Sequence, residues 1–435
     1  MNIRRTEILI LSLLTAGLAH AQTRSNSPYS RYGLGELHHN MMGEFTGLGE
    51  LSLPIRHAAT LNFDNPASLT AINSTIFMFG FYSDISRIES NSITNPPVNN
   101  SSSAAYMALG LRITKPDRAI KWSSALGLLP YSGVGYSVEQ NVKINQVGNV
   151  KYRFDGSGGL NHLVFANGWQ KGPVSVGLKT GYLFGKIDRE RQNLLPVDSA
   201  AFNSAAKSRL TVGDFTLQAG VQLEHKLSLG SDSEGKKRDS LQLILAGTLD
   251  PQSNLPNTRE DLTVTLINPG GITIDTINYT YKKGPLLMPL SWGVGLSAGQ
   301  QNKNRKWLVG VDYRSQLWSN YTLFNQTDSL GNAHKLSIGG LYQPRPTAIE
   351  WRAGLFLSQT YYFLNSTPIK ENGIAFGLGI PIADMRSNVA NYLNLSFVIG
   401  QRGTTDNNLI REPFMRFTFG FTFQTMTWFL KRKYD

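Results

Sequence analysis

The sequence predicts an all-β fold: a transmembrane antiparallel β-barrel of about fourteen strands with an N-terminal hatch in its lumen. Three observations predict it. Residues 413–423, PFMRFTFGFTF, set Met415, Phe417, Phe419, Phe421 and Phe423 on one face and Arg416, Thr418, Gly420 and Thr422 on the other, because successive strand side chains point oppositely. Similar alternation recurs from residue 75 onward, while no run of 18 apolar residues after residue 21 could cross a bilayer as a helix. Residues 27–70, in contrast, are dense in glycine and do not alternate.

Residues 1–21 read as a signal peptide. Arg4 and Arg5 precede an apolar run at 8–18, and Ala19-His20-Ala21 is a small-x-small cleavage site, so the mature chain is expected from Gln22 and destined for the outer membrane. Cysteine is absent, which excludes disulfides and thiolate chemistry. The charged fraction is 17%, as expected for a surface half facing lipid and half facing the lumen. The formal net charge is +12, but the cations are scattered along the chain and form no stripe, so nucleic acid is not an expected partner.

Residues 22–72 are assigned to the hatch, with one or two helical turns at most within 41–51. Its glycines allow positive φ and close backbone approach, as a compact non-strand element requires. The barrel is assigned to 73–429. Thr75–Arg87 carries Phe77, Phe79 and Phe81 on one face, and strands follow at 103–114 and 121–131 around a Lys115-Pro116-Asp117-Arg118 turn. Residues 132–158 read as an excursion with some strand character; 159–170, 173–189, 210–226 and 241–249 are strands, with a charged turn at 231–239.

The longest excursion, 250–284, contains a hairpin around Pro269-Gly270-Gly271 expected to stand above the barrel. In 286–299 every even position from Leu286, Met288 and Leu290 through Trp292, Val294, Leu296 and Ala298 is apolar, and the odd ones from Ser291 to Gly299 are serine or glycine. Strands at 305–323, 335–342, 349–363, 373–380, 389–400 and 413–423 complete the set. The even count returns both ends to the periplasm, and the longest connections all fall on the opposite side. Phe417 and Phe419 should lie beside the Phe77 to Phe81 ladder. Trp428 and Phe429 suit a membrane interface, and 430–435, with Lys431, Arg432 and Lys433, form a periplasmic tail.

The glycine-rich segment with Asn65-Pro66-Ala67, the run Ser27-Pro28-Tyr29-Ser30-Arg31-Tyr32-Gly33-Leu34-Gly35 and the run Pro130-Tyr131-Ser132-Gly133-Val134-Gly135-Tyr136 resemble the long-chain fatty-acid transporter (FadL) family. They resemble a divergent branch of it that includes barrels associated with type IX secretion. The resemblance implies a barrel blocked by its hatch, with a hydrophobic ligand held near the outer loops and leaving sideways through a wall opening.

The candidate site residues are therefore in the hatch and on the inner wall. Pro28, Tyr29, Arg31, Tyr32, Gly33 and Gly35 form an aromatic turn in which Arg31 is expected to meet a lumen carboxylate or a partner, since a buried charge must be paired. Asn65 and Pro66 form a turn that anchors the hatch or gates it. Asp312 and Arg314 share a face opposite Trp307, Val309, Val311 and Tyr313, so both should face the lumen and pair there or bind a ligand head group. Gly295-Leu296-Ser297-Ala298-Gly299 matches G-x-S-x-G but lies within an alternating strand segment and not at the strand-to-helix turn that motif needs. No H-E-x-x-H occurs, and His38-His39 lacks metal-ligand spacing, so no catalytic residue, cofactor or metal is assigned. Two functions remain open: transport of hydrophobic molecules such as fatty acids, or a non-transporting barrel in larger outer-membrane machinery for type IX secretion or barrel assembly. Outer-membrane lipid is an expected partner in both, with a lumen ligand in the first and protein partners in the second.

Overall fold

Alternation becomes strand pairing in the computed structural model, which describes residues 25–425 except 39–40, 92, 116–117, 146, 197–201, 229–239, 268–272, 302–304, 346–347 and 384–389. The expected signal peptide, Gln22 and the tail with Trp428 and Phe429 lie outside the described residues. So do Pro116-Asp117, the 231–239 turn and the Pro269-Gly270-Gly271 tip.

The strands are β1 Thr75–Arg87, β2 Val98–Arg112, β3 Ile120–Ile144, β4 Gly148–Lys171, β5 Val174–Leu194, β6 Asn203–Ser228, β7 Ser240–Asp250, β8 Ser253–Leu266, β9 Thr273–Met288, β10 Ser291–Gln301, β11 Lys306–Gln316, β12 Ala333–Gln343, β13 Glu350–Leu364, β14 Thr367–Ala383, β15 Ala390–Gly403 and β16 Arg411–Thr425. Among the described residues, fourteen of these, all but β8 and β9, form the wall. Each is antiparallel to its neighbours, β7 pairs with β10, and β16 closes on β1. Closure leaves no sheet edge to lipid, where an unpaired amide would cost several kcal/mol, on the order of a lost hydrogen bond in hydrocarbon.

At the seam Phe419, Phe421 and Phe423 stand opposite Phe81, Phe79 and Phe77, as the alternation requires. Phe417 is the exception. It stands opposite Ser83 and packs instead on Phe397 of β15, with ring centroids 4.8 Å apart. The outward side chains of β10, Trp292, Val294 and Leu296, are exposed, whereas Ser297 is buried inward. This is the alternation expected of a wall between lipid and a filled lumen.

Three expectations need correction. Residues 132–158 are not an excursion: β3 and β4 stay paired to Ile144 and Gly148 after a register shift at Pro130/Ser132. The period of two continues there, Val134, Tyr136, Val138 and Val142 alternating with Gly135, Ser137, Glu139 and Asn141, but glycines and polar residues dilute it while the backbone ladder continues. Leu286 and Met288 do not face lipid. The strand breaks at Pro289, which cannot donate to a ladder, and both residues end β9, buried with Leu255, Trp318 and Tyr321. The strand expected over 305–323 ends at Gln316. Beyond it a single 3-10 turn, Trp318–Asn320, drops Trp318 and Tyr321 into the same cluster.

The wall has two unlike ends. One carries short turns and the ends of β1 and β16; the other carries long connections and strands that run on past the wall. At that second end β8 pairs with the outer part of β6, from Asn203/Leu266 to Val212/Asn257, and β9 pairs with β8. Residues 25–73 lie inside. The α-helical turn Gly43–Thr46 packs on β14, β15 and β16, and the 3-10 turn Pro66–Ala71 packs on β3, β4, β5 and β6. A segment that touches opposite sides of a closed wall can only be within it. Gly354 of β13 makes room for this segment, because a Cβ there would sit 2.2 Å from the Leu48 carbonyl oxygen.

Candidate functional site: the barrel interior

The interior site begins with local capping. Ser27 Oγ accepts from the Tyr29 amide at 3.2 Å and donates to the Glu412 carboxylate at 2.8 Å, while Pro28 starts the turn with its fixed φ. Tyr29 is buried, donates its hydroxyl to the Ile410 carbonyl and stacks on Tyr362 at 5.8 Å. Gly33 and Gly35 have φ of 54° and 94°, and Tyr362 donates to the Gly35 carbonyl at 3.0 Å. Tyr32 lies edge-on to the same ring at 6.5 Å.

Arg31 departs from its expectation. It is exposed, and its guanidinium lies over the Phe154 ring at 4.6 Å, so it meets an aromatic face and not a carboxylate. Asn65 is fully buried. Its Oδ1 accepts from the Ala67 amide at 3.1 Å and its Nδ2 donates to the carbonyls of Leu53 and Val221. Pro66 follows it at the first position of the 3-10 turn. Asp312 and Arg314 both face inward. Asp312 Oδ2 accepts from the amides of Ser52 (2.9 Å) and Leu53 (3.0 Å), and Arg314 pairs with Asp64 at 2.8 Å.

The larger charge clusters were not singled out from the sequence. At the long-connection end Arg402 reaches Glu36 (2.5 Å), Glu371 (2.7 Å) and Glu412 (3.5 Å). Next to it Arg416 pairs with Asp84 at 2.7 Å and approaches Glu50 at 3.7 Å, and Lys335 also pairs with Glu50. At the short-turn end Glu350 holds Lys306 and Arg352, each at 2.8 Å, with His57 at 3.7 Å. Arg56 there donates to Ser175, Gln222, Thr70 and Gln170 and lies 3.6 Å from Glu224. A readable signal existed: charges such as Arg416 sit on the small, polar face of an otherwise aromatic strand.

These contacts set the ionisation of the inner segment. Burial pushes the Glu36 carboxyl up, but Arg402, His38 and Arg416 outweigh it and hold it at about 2. Asp64 is likewise brought to about 2 by Arg314, Ser52 and Lys179 against the cost of burial. Glu44 has too little compensation. Burial raises it to about 7, although Arg352 and hydrogen bonds from Thr60 and Asn394 oppose the shift.

A cavity of about 270 Å³ remains between segment and wall, lined by apolar Leu37, Met41 and Tyr131 and by charged Glu50, Asp64 and Arg416. It adjoins a parting in the wall. β2 and β3 pair only from Met107/Leu128 to Arg112/Ser123. Past that point β3 pairs instead with the inner segment, Glu36 opposite Gly133 and Leu37 opposite Ser132, and the His38 amide donates to the Tyr131 carbonyl at 2.9 Å. Asn26 bridges to β2, donating to the Asn100 carbonyl at 2.6 Å and accepting from Asn99 at 2.7 Å.

A closed fourteen-strand wall around an ordered N-terminal segment defines a transmembrane β-barrel of FadL-like fold. The chain is similar in fold to the toluene transporter TbuX of Ralstonia pickettii, at 11% identity and a TM-score of 0.53 over 90% of this chain and 99% of that one. It is also similar to a FadL homologue of Pseudomonas aeruginosa (14%, 0.53, 87% and 97%) and to the toluene transporter TodX of P. putida (12%, 0.51, 87% and 98%). No curated protein matches the chain. The family model described as BamG matches residues 2–435, and the chain belongs to the BamG family.

Proposed function

We propose that this chain is a stoppered outer-membrane barrel that serves as a non-transporting component of larger machinery, of the barrel-assembly kind suggested by the family designation BamG. One observation carries the reading: the inner segment is pinned over the whole height of the wall by buried ion pairs. Glu36 with Arg402 is at one end, Asp64 with Arg314 lies midway, and Arg56 with Glu224 is at the other, where His57 also approaches Glu350. Breaking one such pair by displacing a partner costs about 3–5 kcal/mol. Moving the whole segment for each passing solute would break several at once.

The test is purification from native membranes in mild detergent, followed by mass measurement and protein identification. Stable, stoichiometric outer-membrane partners are expected, and depletion of the protein should leave other barrels unassembled. A protein that runs only as a lone barrel, with other barrels unaffected by its loss, would end this reading.

A second reading, passage of a hydrophobic molecule, is favoured by the cavity at the β2/β3 parting and by the transporters of similar fold. Its expected result is a lipid or hydrocarbon that co-purifies in the cavity and an uptake defect on deletion. Unchanged uptake across a broad hydrophobic panel would remove it.

A further inference from the structure

The outer extensions of β3, β4, β5 and β6, with β8 and β9, make one sheet beyond the wall, and its two edges are unlike. At one edge β3 presents Glu139, Gln140, Asn141 and Lys143, with Glu139 paired to Lys151 at 3.0 Å. Such charges are the usual protection of a strand that must stay unpaired. The other edge is β9, which carries Asp275, Lys282 and Lys283 but runs without a charge from Thr276 to Tyr281. Residues 273–284 pair with β8 on one side, and on the other side no strand pairing occurs among the described residues until Leu286 and Leu287 meet Leu323 and Thr322.

This bare edge is rich in β-branched and aromatic side chains: Ile274, Ile277, Tyr279 and Tyr281 are all exposed, Ile277 by 62%. Residues 273–279 are exposed without interruption, so neither face of that stretch is covered by the rest of the described chain. Charge is unbalanced at the base of the edge. Lys282 stands opposite Arg259 in the register with β8, Arg259 is paired with Asp261 at 2.9 Å, and Lys283 follows, so the excess positive charge there is on the two lysines of the edge.

We propose that the β9 edge, residues 273–284, is the docking site for an extended segment of a partner protein, which adds to the sheet as a strand and carries acidic residues where it passes Lys282 and Lys283. Backbone pairing along the edge supplies affinity, and Ile277, Tyr279 and Tyr281 supply side-chain contacts of the kind that dominate interfaces. A second copy of this chain is the poorer occupant. Antiparallel pairing about a twofold axis perpendicular to the sheet would invert one barrel in the membrane, and parallel in-register pairing would bring the lysines together. The inference rests on the proposed role in larger machinery and names the surface that role would use.

Because the chain has no cysteine, single introduced thiols report unambiguously. Ile277→Cys, Tyr279→Cys and, on the protected edge, Gln140→Cys would be placed in the full-length protein in native membranes, treated with a bifunctional cross-linker and mapped by mass spectrometry. The expected result is that positions 277 and 279 join one contiguous, acidic-flanked segment of one protein, while 140 does not. The double variant Ile277→Lys/Tyr279→Lys should retain that protein about tenfold less well while its barrel remains heat-modifiable on gels. Cross-links equal at position 140, cross-links only between copies of this chain, no protein cross-link at 277 or 279, or undiminished retention by the lysine variant would overturn the proposal. If the unaltered protein holds partners and the lysine variant keeps them, the edge assignment fails alone. If the unaltered protein purifies without partners, both readings fall.

Discussion

Replacing Arg402 by methionine should release the first part of the inner segment without dismantling the wall. Arg402 is 7% exposed and answers three carboxylates, on Glu36, Glu371 and Glu412. Methionine keeps much of the length but leaves those carboxylates facing one another away from bulk water. Removing one member of a buried ion cluster costs about 3–5 kcal/mol. The lower figure applies, since Arg416 remains 3.9 Å from Glu36 and Ser27 still donates to Glu412. About 3 kcal/mol is roughly a hundredfold in the ratio of docked to released segment. The assay is hydrogen exchange over residues 25–38 in detergent, with heat-modifiability on gels to report an intact barrel. Adding Glu36→Gln and Glu371→Gln to the methionine variant should restore protection, because of the three carboxylates only Glu412 then remains, and Ser27 still donates to it. Unchanged exchange at 25–38 in the single variant, with the barrel folded, would refute the idea that this cluster holds the segment.

Other outcomes follow from the same interior. Glu44→Gln should stabilise the barrel to heat at pH 8 and change little at pH 5. A carboxyl raised to about 7 contributes its stability fully below its ordinary value and loses it as pH rises through 7, and glutamine has no charged form to bury. Thermal stability should fall on acidification between about pH 4.5 and pH 2: Glu36 and Asp64 are depressed to about 2, so their contribution is present above the ordinary carboxylate range and is lost as pH falls through 2. Asp312→Ala should raise proteolytic cleavage near Ser52 and Leu53 by loss of two charge-assisted hydrogen bonds, about 1.5–3 kcal/mol each. Gly354→Val should displace residues 48–50 from the wall, read as new exchange there, because the added carbon would meet the Leu48 carbonyl oxygen.

The wall was legible because lipid on one side and a filled lumen on the other impose a period of two on the residues between them. The closing strand could be recognised from its phenylalanines alone, and its pairing with the first strand came out in register at Phe77, Phe79 and Phe81. Legibility failed wherever that contrast of solvents ends. Beyond the wall no lipid marks one face of β3 and β4, and glycines at 133, 135, 156, 158 and 159 dilute the alternation, so a ladder reaching Ile144 read as an excursion with some strand character. At Leu286 and Met288 the period persisted across Pro289, but the chain had passed from the hairpin into the wall.

Of the interior, Asp312 and Arg314 could be placed from strand parity. Arg31 could not be placed, because a position in an irregular segment has no parity to read. The Arg402 and Arg416 clusters escaped for a different reason: their inner-segment partners, Glu36 and Glu50, come from hundreds of positions away, and nothing local in the sequence pairs Glu36 with Arg402.

That remoteness sets an order of events. Ser27 is bonded to Glu412, 385 positions later, and Glu36 to Arg402. The stretch around Ser27 and Glu36, early in the chain, therefore has to wait for the last strands before its charges and hydroxyls find their partners. Until β15 and β16 arrive, Glu36 and Ser27 are better served by water than by an open sheet. Closure of the wall and seating of the segment thus become a single late step, and a chain truncated before residue 402 should keep its leading residues accessible to protease however many strands it has already paired.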